Sequence, residues 1–346
     1  MTEPAPRSRV VVWVMRLALL IGLAGMIATI IVVGPRTLAG HLRAIGPWFA
    51  LLVALDVGAT AIDATALHAL VVKDRAPSWR RVVVAQLAGR AVNAVTPGGG
   101  LGEALKASLL AEHGRGTRMV AAVMACGLIN FGLALATIGV GAPLTVVWLG
   151  VDGGARVALV VASGVAIALL LGMVVLVRRG MLAGLADAAR AVHVISRTRH
   201  TRWAKRLAAI DTQLAHLRKA PGWRRALICL AAAKLVGWST TWIAVAAAGY
   251  RLAPAEFVGL ISAGVVLGWL GSLVPMGLGV SESGSYGVFS LIGAPATVGV
   301  SLALAGRVRQ IIIAGLGFGT LGVVRLVDRR RALRSTPRRG WLRRRR

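Results

Sequence analysis

Apolar residues run in blocks of twenty or more along this chain, separated by short polar or basic connections. The blocks fall at 11–33, 47–72, 119–141, 155–177, 226–248 and 296–324, and each is long enough to cross a hydrocarbon core as a helix. Two further apolar stretches, 82–112 and 256–293, are interrupted by proline and glycine. The first break reads Pro97-Gly98-Gly99-Gly100-Leu101-Gly102-Glu103, the second Pro275-Met276-Gly277-Leu278-Gly279-Val280-Ser281-Glu282. Each is a proline, a short spacer, Gly-Leu-Gly, and then a glutamate.

An offset of 178 residues aligns Pro97 with Pro275. Broken apolar segments at corresponding places in two halves point to a transporter's binding site. The pattern predicts an all-α integral membrane protein with about six transmembrane helices and two re-entrant helical hairpins in an inverted repeat. Repeat one covers 47–141 and repeat two 226–324, within a single polytopic membrane domain. The first hairpin would dip in from the cytoplasm and the second from outside. In the alternative, each arm is a full span and the breaks are surface loops. Arm 256–274 is long enough for that, whereas 103–112 and 283–293 are short.

Composition agrees. Of 346 residues, 57% are hydrophobic and the mean hydropathy is +0.74, which excludes an ordinary soluble domain. The net charge of +29 would suggest nucleic acid in a soluble protein, but its placement argues against that. Twelve Lys/Arg lie in 178–225 and eleven Arg in 325–346, both beside predicted spans. That is the pattern of cytoplasmic segments facing anionic lipid. Lys73, Arg75, Arg80 and Arg81 put the 73–81 connection inside, and 142–154 has no Lys or Arg and fits the outside. The expectation is a multi-pass protein of the cell inner (plasma) membrane of a bacterial envelope, with both termini cytoplasmic. Segment 178–225 carries apolar residues at helical spacing, including Leu182, Leu185, Leu207, Ile210, Leu214 and Leu217. It predicts amphipathic helices on the inner membrane surface, and 325–346 a basic tail.

An ionisable side chain at the bilayer centre costs about 2.5–3.5 kcal/mol on insertion scales, so each needs a partner or a task. Asp56, Thr60 and Asp63 share one helical face of the second span. Under the repeat offset Asp56 aligns with Lys234, which suggests an ion pair across the pseudo-two-fold axis, either fixed or gating. Arg307 and Arg309 lie near the centre of the last span, and guanidinium suits bidentate recognition of phosphate. Gln310 and Asn130 fall at nearly the same repeat depth. Arg90 and Asn93 precede the first break on one face; Glu103 and Lys106 follow it on another. A glycine-hinged helix start can receive a phosphate or carboxylate. Candidate substrate contacts are therefore Arg90, Asn93, Glu103, Lys106, Glu282, Arg307 and Arg309. Asp56, Asp63 and Lys234 are candidates for gating. The backbone of Pro97, Gly98, Gly99, Gly100, Gly102, Pro275, Gly277 and Gly279 would shape the hairpins. Glu103 and Glu282 have a second reading as helix caps. Arg307 likewise has a second reading as the partner of a hairpin glutamate.

No HExxH, P-loop lysine, GxSxG or Cys/His cluster is present in the sequence, so no enzyme activity, cofactor or metal is expected. Cys126 and Cys229 lie inside spans and do not suggest a disulfide framework.

The stretch Leu87–Lys106 resembles the first signature of the lysylphosphatidylglycerol synthase transmembrane (flippase-domain) family, and Val274–Glu282 resembles its partner. The resemblance covers most of 10–325. It implies a lipid transporter or flippase that moves a phospholipid or polyprenyl-phosphate-type lipid between leaflets, with membrane lipids as its partners. The larger synthases carry a soluble aminoacyl-transfer domain after the membrane part; with none visible before residue 346, synthase activity is not expected here. The alternative is a non-transporting scaffold or regulator of a cell-envelope lipid or glycan synthase, using 178–225 to dock its partner. Gly268 and Gly271 stand where the repeat places counterparts of Arg90 and Asn93, so the halves should not bind a head group identically.

Overall fold

A computed structural model describes residues 31, 35–71, 77–96, 100–111, 116–179, 197–274 and 277–335. The expected span 11–33 (save Ile31), Pro97, Gly98, Gly99, Pro275, residues 180–196 and the tail beyond 335 lie outside the described residues. Among the described residues the regular structure is helical throughout. The α-helices are α1 (Pro35–Ile45), α2 (Phe49–Val71), α3 (Trp79–Val95), α4 (Gly100–Ala111), α5 (Gly116–Leu149), α6 (Gly153–Arg179), α7 (Arg197–Lys219), α8 (Gly222–Ala247), α9 (Pro254–Ser272), α10 (Val280–Leu291) and α11 (Ala296–Ser335).

Among the described residues, six helical stretches are long and apolar enough to span a membrane: Arg43–Val71, Gly116–Leu149, Gly153–Arg179, Gly222–Ala247, Pro254–Ser272 and Ala296–Val323. The chain is an all-α, multi-pass membrane protein. Five of the spans are those read from the hydropathy pattern. The sixth, α9, was expected as one arm of a hairpin, yet it qualifies as a span by itself. Its return arm α10 and the equivalent α4 have 12 residues each. At 1.5 Å per residue they rise only about 18 Å and are too short to cross alone.

Among the described residues the apolar core falls into three clusters: Leu135, Ile138 and Ala142 of α5 pack on Ala166 of α6, and the other two lie at opposite ends of the bundle. One gathers Val71 of α2, Val82 of α3, Leu110 of α4, Met119 of α5, Leu217 of α7 and Ala226 of α8. The other gathers Leu52 of α2, Val245 of α8, Leu260 of α9, Phe289 of α10 and Val298 of α11. Residues of α3 and α4 thus share the first of these end clusters, and residues of α9 and α10 the second. The packing between helices repeats the relation: α2 lies along α8, α3 along α11, and α9 along α5. Each pair joins either equivalent elements of the two halves or elements exchanged between them.

Several crossings depend on missing side chains. A Cβ at Gly222 would run into the carbonyl oxygen of Ala69, and one at Gly317 into that of Leu87. Close backbone approach of this kind is how small residues assemble membrane helices.

Basic residues collect at the first end. Arg178 and Arg179 close α6, Arg224 and Arg225 open α8 exposed to the surroundings, and Arg218 donates to the carbonyl of Val177 at 3.4 Å. Helix α7 is docked here. Leu214 and Leu217 are 4% and 3% exposed, packed into the core with Ile210 beside them. The amphipathic face read from the sequence therefore meets protein over that stretch, where a lipid surface was expected. The packed α5 and α8 helices offer it a preformed apolar surface.

Candidate functional site

The second break turns through two glycines in left-handed backbone, Gly277 at φ +64° and Gly279 at φ +78°, a region that side chains with a Cβ avoid. The Gly279 N–H then donates to Glu282 Oε2 at 2.9 Å, capping α10. The carboxylate of Glu282 is fully buried and pairs through Oε1 with Arg307 Nη2 of α11. Arg307 also donates toward the Gly277 carbonyl at 3.5 Å. One glutamate thus caps its own helix and fastens the break to the last span. The capping and ion-pair readings of Glu282 hold together.

The first break is secured differently. Asn93 on α3 accepts the Gly102 N–H on its Oδ1 at 2.7 Å, and its Nδ2 donates toward Glu103 Oε1 at 3.5 Å. Lys106 Nζ reaches Glu103 at 2.7 Å. Gly102 itself is close-packed, because a Cβ there would strike the Gly89 carbonyl and the Asn93 side chain. Here the glutamate is matched within its own helix, and the tie to the neighbouring arm comes from an amide.

Between these two locks the bundle is hollow. A cavity of about 660 Å³ is bounded by Arg90 and Asn93 on one side, Gly268 and Gly271 on the other, and Arg309 and Gln310 on α11. A second, of about 500 Å³, is bounded by Asp63, Asn130, Lys234, Trp238 and Trp269. Asp56, Arg90, Gly264 and Gly268 line both. A third space of about 160 Å³ leads off past Arg309 among Leu52, Leu302 and Phe289. Two larger volumes with charged side chains in their walls thus adjoin a small, mostly apolar one.

Charge in the cavity walls is largely matched. Asp56 Oδ2 meets Arg309 Nε at 2.7 Å. Arg90 donates to Thr60 Oγ1 and toward the Asp56 carbonyl at 3.5 Å. The pair expected between Asp56 and Lys234 is not made. Arg309 comes from α11, which lies against both α2 and α3, and its planar fork takes the carboxylate first. Lys234 faces the second cavity with Asp63 instead.

Of the residues expected to touch cargo, Arg90, Asn93 and Arg309 line the first cavity. Arg307, Lys106, Glu103 and Glu282 line neither and are engaged in the two locks. Gln310 and Asn130, matched by repeat depth, line one cavity each. Sequence reasoning passed over Ser281 and Ser285, which stand one helical turn apart facing the first cavity. It also passed over the Gly264–Gly268–Gly271 stripe as a wall; its i, i+4, i+7 spacing was a readable signal. Outside the spans, desolvation and a 2.9 Å hydrogen bond to Glu256 hold the Tyr250 phenol above its ordinary range.

Residues 13–317 match the family described as the lysylphosphatidylglycerol synthase TM region. The chain belongs to this family. No curated protein and no solved structure matches it. Membership places the protein among membrane proteins of lipid-related envelope processes, in contact with membrane lipids.

Proposed function

We propose that this protein moves a phospholipid or polyprenyl-phosphate-type lipid between the leaflets of the inner membrane, without doing chemistry on it. The observation that carries the reading is the pair of adjoining cavities within the bundle, with Arg90 and Arg309 in their walls. A phosphate there would meet two guanidinium groups suited to its geometry, while acyl or prenyl chains extend between helices into lipid. Arg307 and Lys106, first expected to share that task, serve the locks instead.

The two helix–break–helix pairs are read as re-entrant hairpins entering from opposite faces, one per repeat. Support comes from the end cluster that each pair shares, and from the exchanged packing of α3 with α11 and α9 with α5. The basic end is read as cytoplasmic, following the excess of Lys/Arg there.

The test fills the cavity and leaves its charges alone. A Cβ at Gly268, which lines both cavities, would meet nothing within 4 Å, so Gly268→Leu should extend its side chain into that space. In vesicles holding the purified protein and a fluorescent phosphatidylglycerol, wild type should expose inner-leaflet label to an external quencher and Gly268→Leu should not. Equal movement by both would overturn the cavity as the route.

A further inference from the structure

Asp63 stands inside the span Arg43–Val71, half-buried on the wall of the second cavity. The charged and titratable groups around it come from α3, α4, α5, α8 and α11 and from α2 itself. They are Arg90 of α3, Glu103 and Lys106 of α4, Cys126 of α5 and Lys234 of α8; Asp56 of its own helix and Arg309 of α11 lie along the same cavities.

Most of these are committed. Asp56 has Arg309 and Glu103 has Lys106, each at 2.7 Å, and Arg90 holds Thr60. Among the described residues, neither the carboxylate of Asp63 nor the ammonium of Lys234 closes a hydrogen bond or ion pair. One acid and one base thus share a hollow without touching. A carboxylate in such a place is tolerated when water or a proton can reach it.

We infer that Asp63 is a proton-binding site linked to cargo, whose protonation removes the anion opposing Lys234 and leaves that amine free for a phosphate. The step is a single proton added to a carboxylate oxygen, with no other bond made or broken. Because coupling between two sites is reciprocal, an anionic head group in the cavity and a proton on Asp63 strengthen each other's binding. The linkage rests on the lipid-moving reading above; the proton site itself does not.

Two measurements separate them. Infrared difference spectra of the purified full chain, titrated from about pH 4 to about pH 9, should show the carbonyl stretch of a protonated carboxyl. The band should be lost in Asp63→Asn and kept, shifted, in Asp63→Glu. A band unchanged by Asp63→Asn, or no band at all, overturns the proton site. Movement of fluorescent phosphatidylglycerol in phosphatidylethanolamine–phosphatidylglycerol vesicles should be roughly tenfold faster at the acidic end for wild type and flat with pH for Asp63→Asn. A flat wild-type profile with the infrared band intact overturns the linkage alone. Absence of lipid movement at every pH, with the band intact, overturns the transport reading and leaves the proton site standing.

Discussion

Asp56 and Arg309 meet at 2.7 Å across the two halves of the chain, more than 250 residues apart in sequence. Both side chains are largely buried, at 17% and 23% exposure. Together with Arg90 they stand where the two main cavities adjoin, so one ion pair both crosses the halves and divides the hollow between them.

Removing one member of that pair leaves the other charged and poorly solvated. Arg309→Gln should destabilise the detergent-purified protein by on the order of 2–3 kcal/mol, seen as a lower thermal midpoint. The double variant Asp56→Asn/Arg309→Gln should recover part of the loss, giving a coupling term of about 1 kcal/mol or more. Strictly additive single effects would show that the pair contributes nothing as a pair.

The two glutamates after the breaks should differ in weight. Glu282 is fully buried against Arg307, so Glu282→Ala strands a guanidinium and should cost about 3 kcal/mol or prevent folding. Glu103 is 43% exposed while its partner Lys106 is only 10% exposed, so Glu103→Ala should cost about 1–2 kcal/mol, less than Glu282→Ala. Denaturation midpoints compared between the two variants decide this.

Two glycines in α11, two residues apart, make opposite predictions. At Gly317 a Cβ would collide with the Leu87 carbonyl and the Ala91 side chain, so Gly317→Ala should force α3 and α11 apart and cost about 1–3 kcal/mol. At Gly315 a Cβ meets nothing within 4 Å, so Gly315→Ala should be neutral or stabilising by up to about 1 kcal/mol. Thermal unfolding of the two variants gives the sign directly.

Cysteine labelling tests the hairpins. With Cys126 and Cys229 replaced, Leu101→Cys and Leu278→Cys should react with impermeant reagents added to opposite faces of oriented vesicles, or only slowly from either. Free labelling of both from one face would remove the opposed arrangement.

The helical membrane fold was legible because crossing a bilayer demands a long uncharged run, and five of the described spans announce themselves that way. An offset of 178 residues was also legible from Pro97 and Pro275, and by residue number it carries α2 onto α8 and α3 onto α9. Which cation would find Asp56 was not. The offset pointed to Lys234, its repeat partner, but contact depends on how α11 crosses α2 and α3, a tertiary fact without sequence periodicity. The same holds for Arg307 and Arg309. Two residues apart on a helix they face different ways, one into the break and one into the cavity, and only the crossing of α10 on α11 decides which. The amphipathic face of α7 was visible as Ile210, Leu214 and Leu217, but a stripe of that kind does not say whether protein or lipid will cover it.

That docked helix bears on how the molecule can move. With Leu214 and Leu217 packed in the apolar cluster that α5 and α8 build at the arginine-rich pole, the described part of the connector between the halves is held down there. That pole thus carries one tether more than the opposite one, where the cluster around Leu52, Val245 and Phe289 joins the halves, so parting the halves at the arginine-rich pole has one more contact to break.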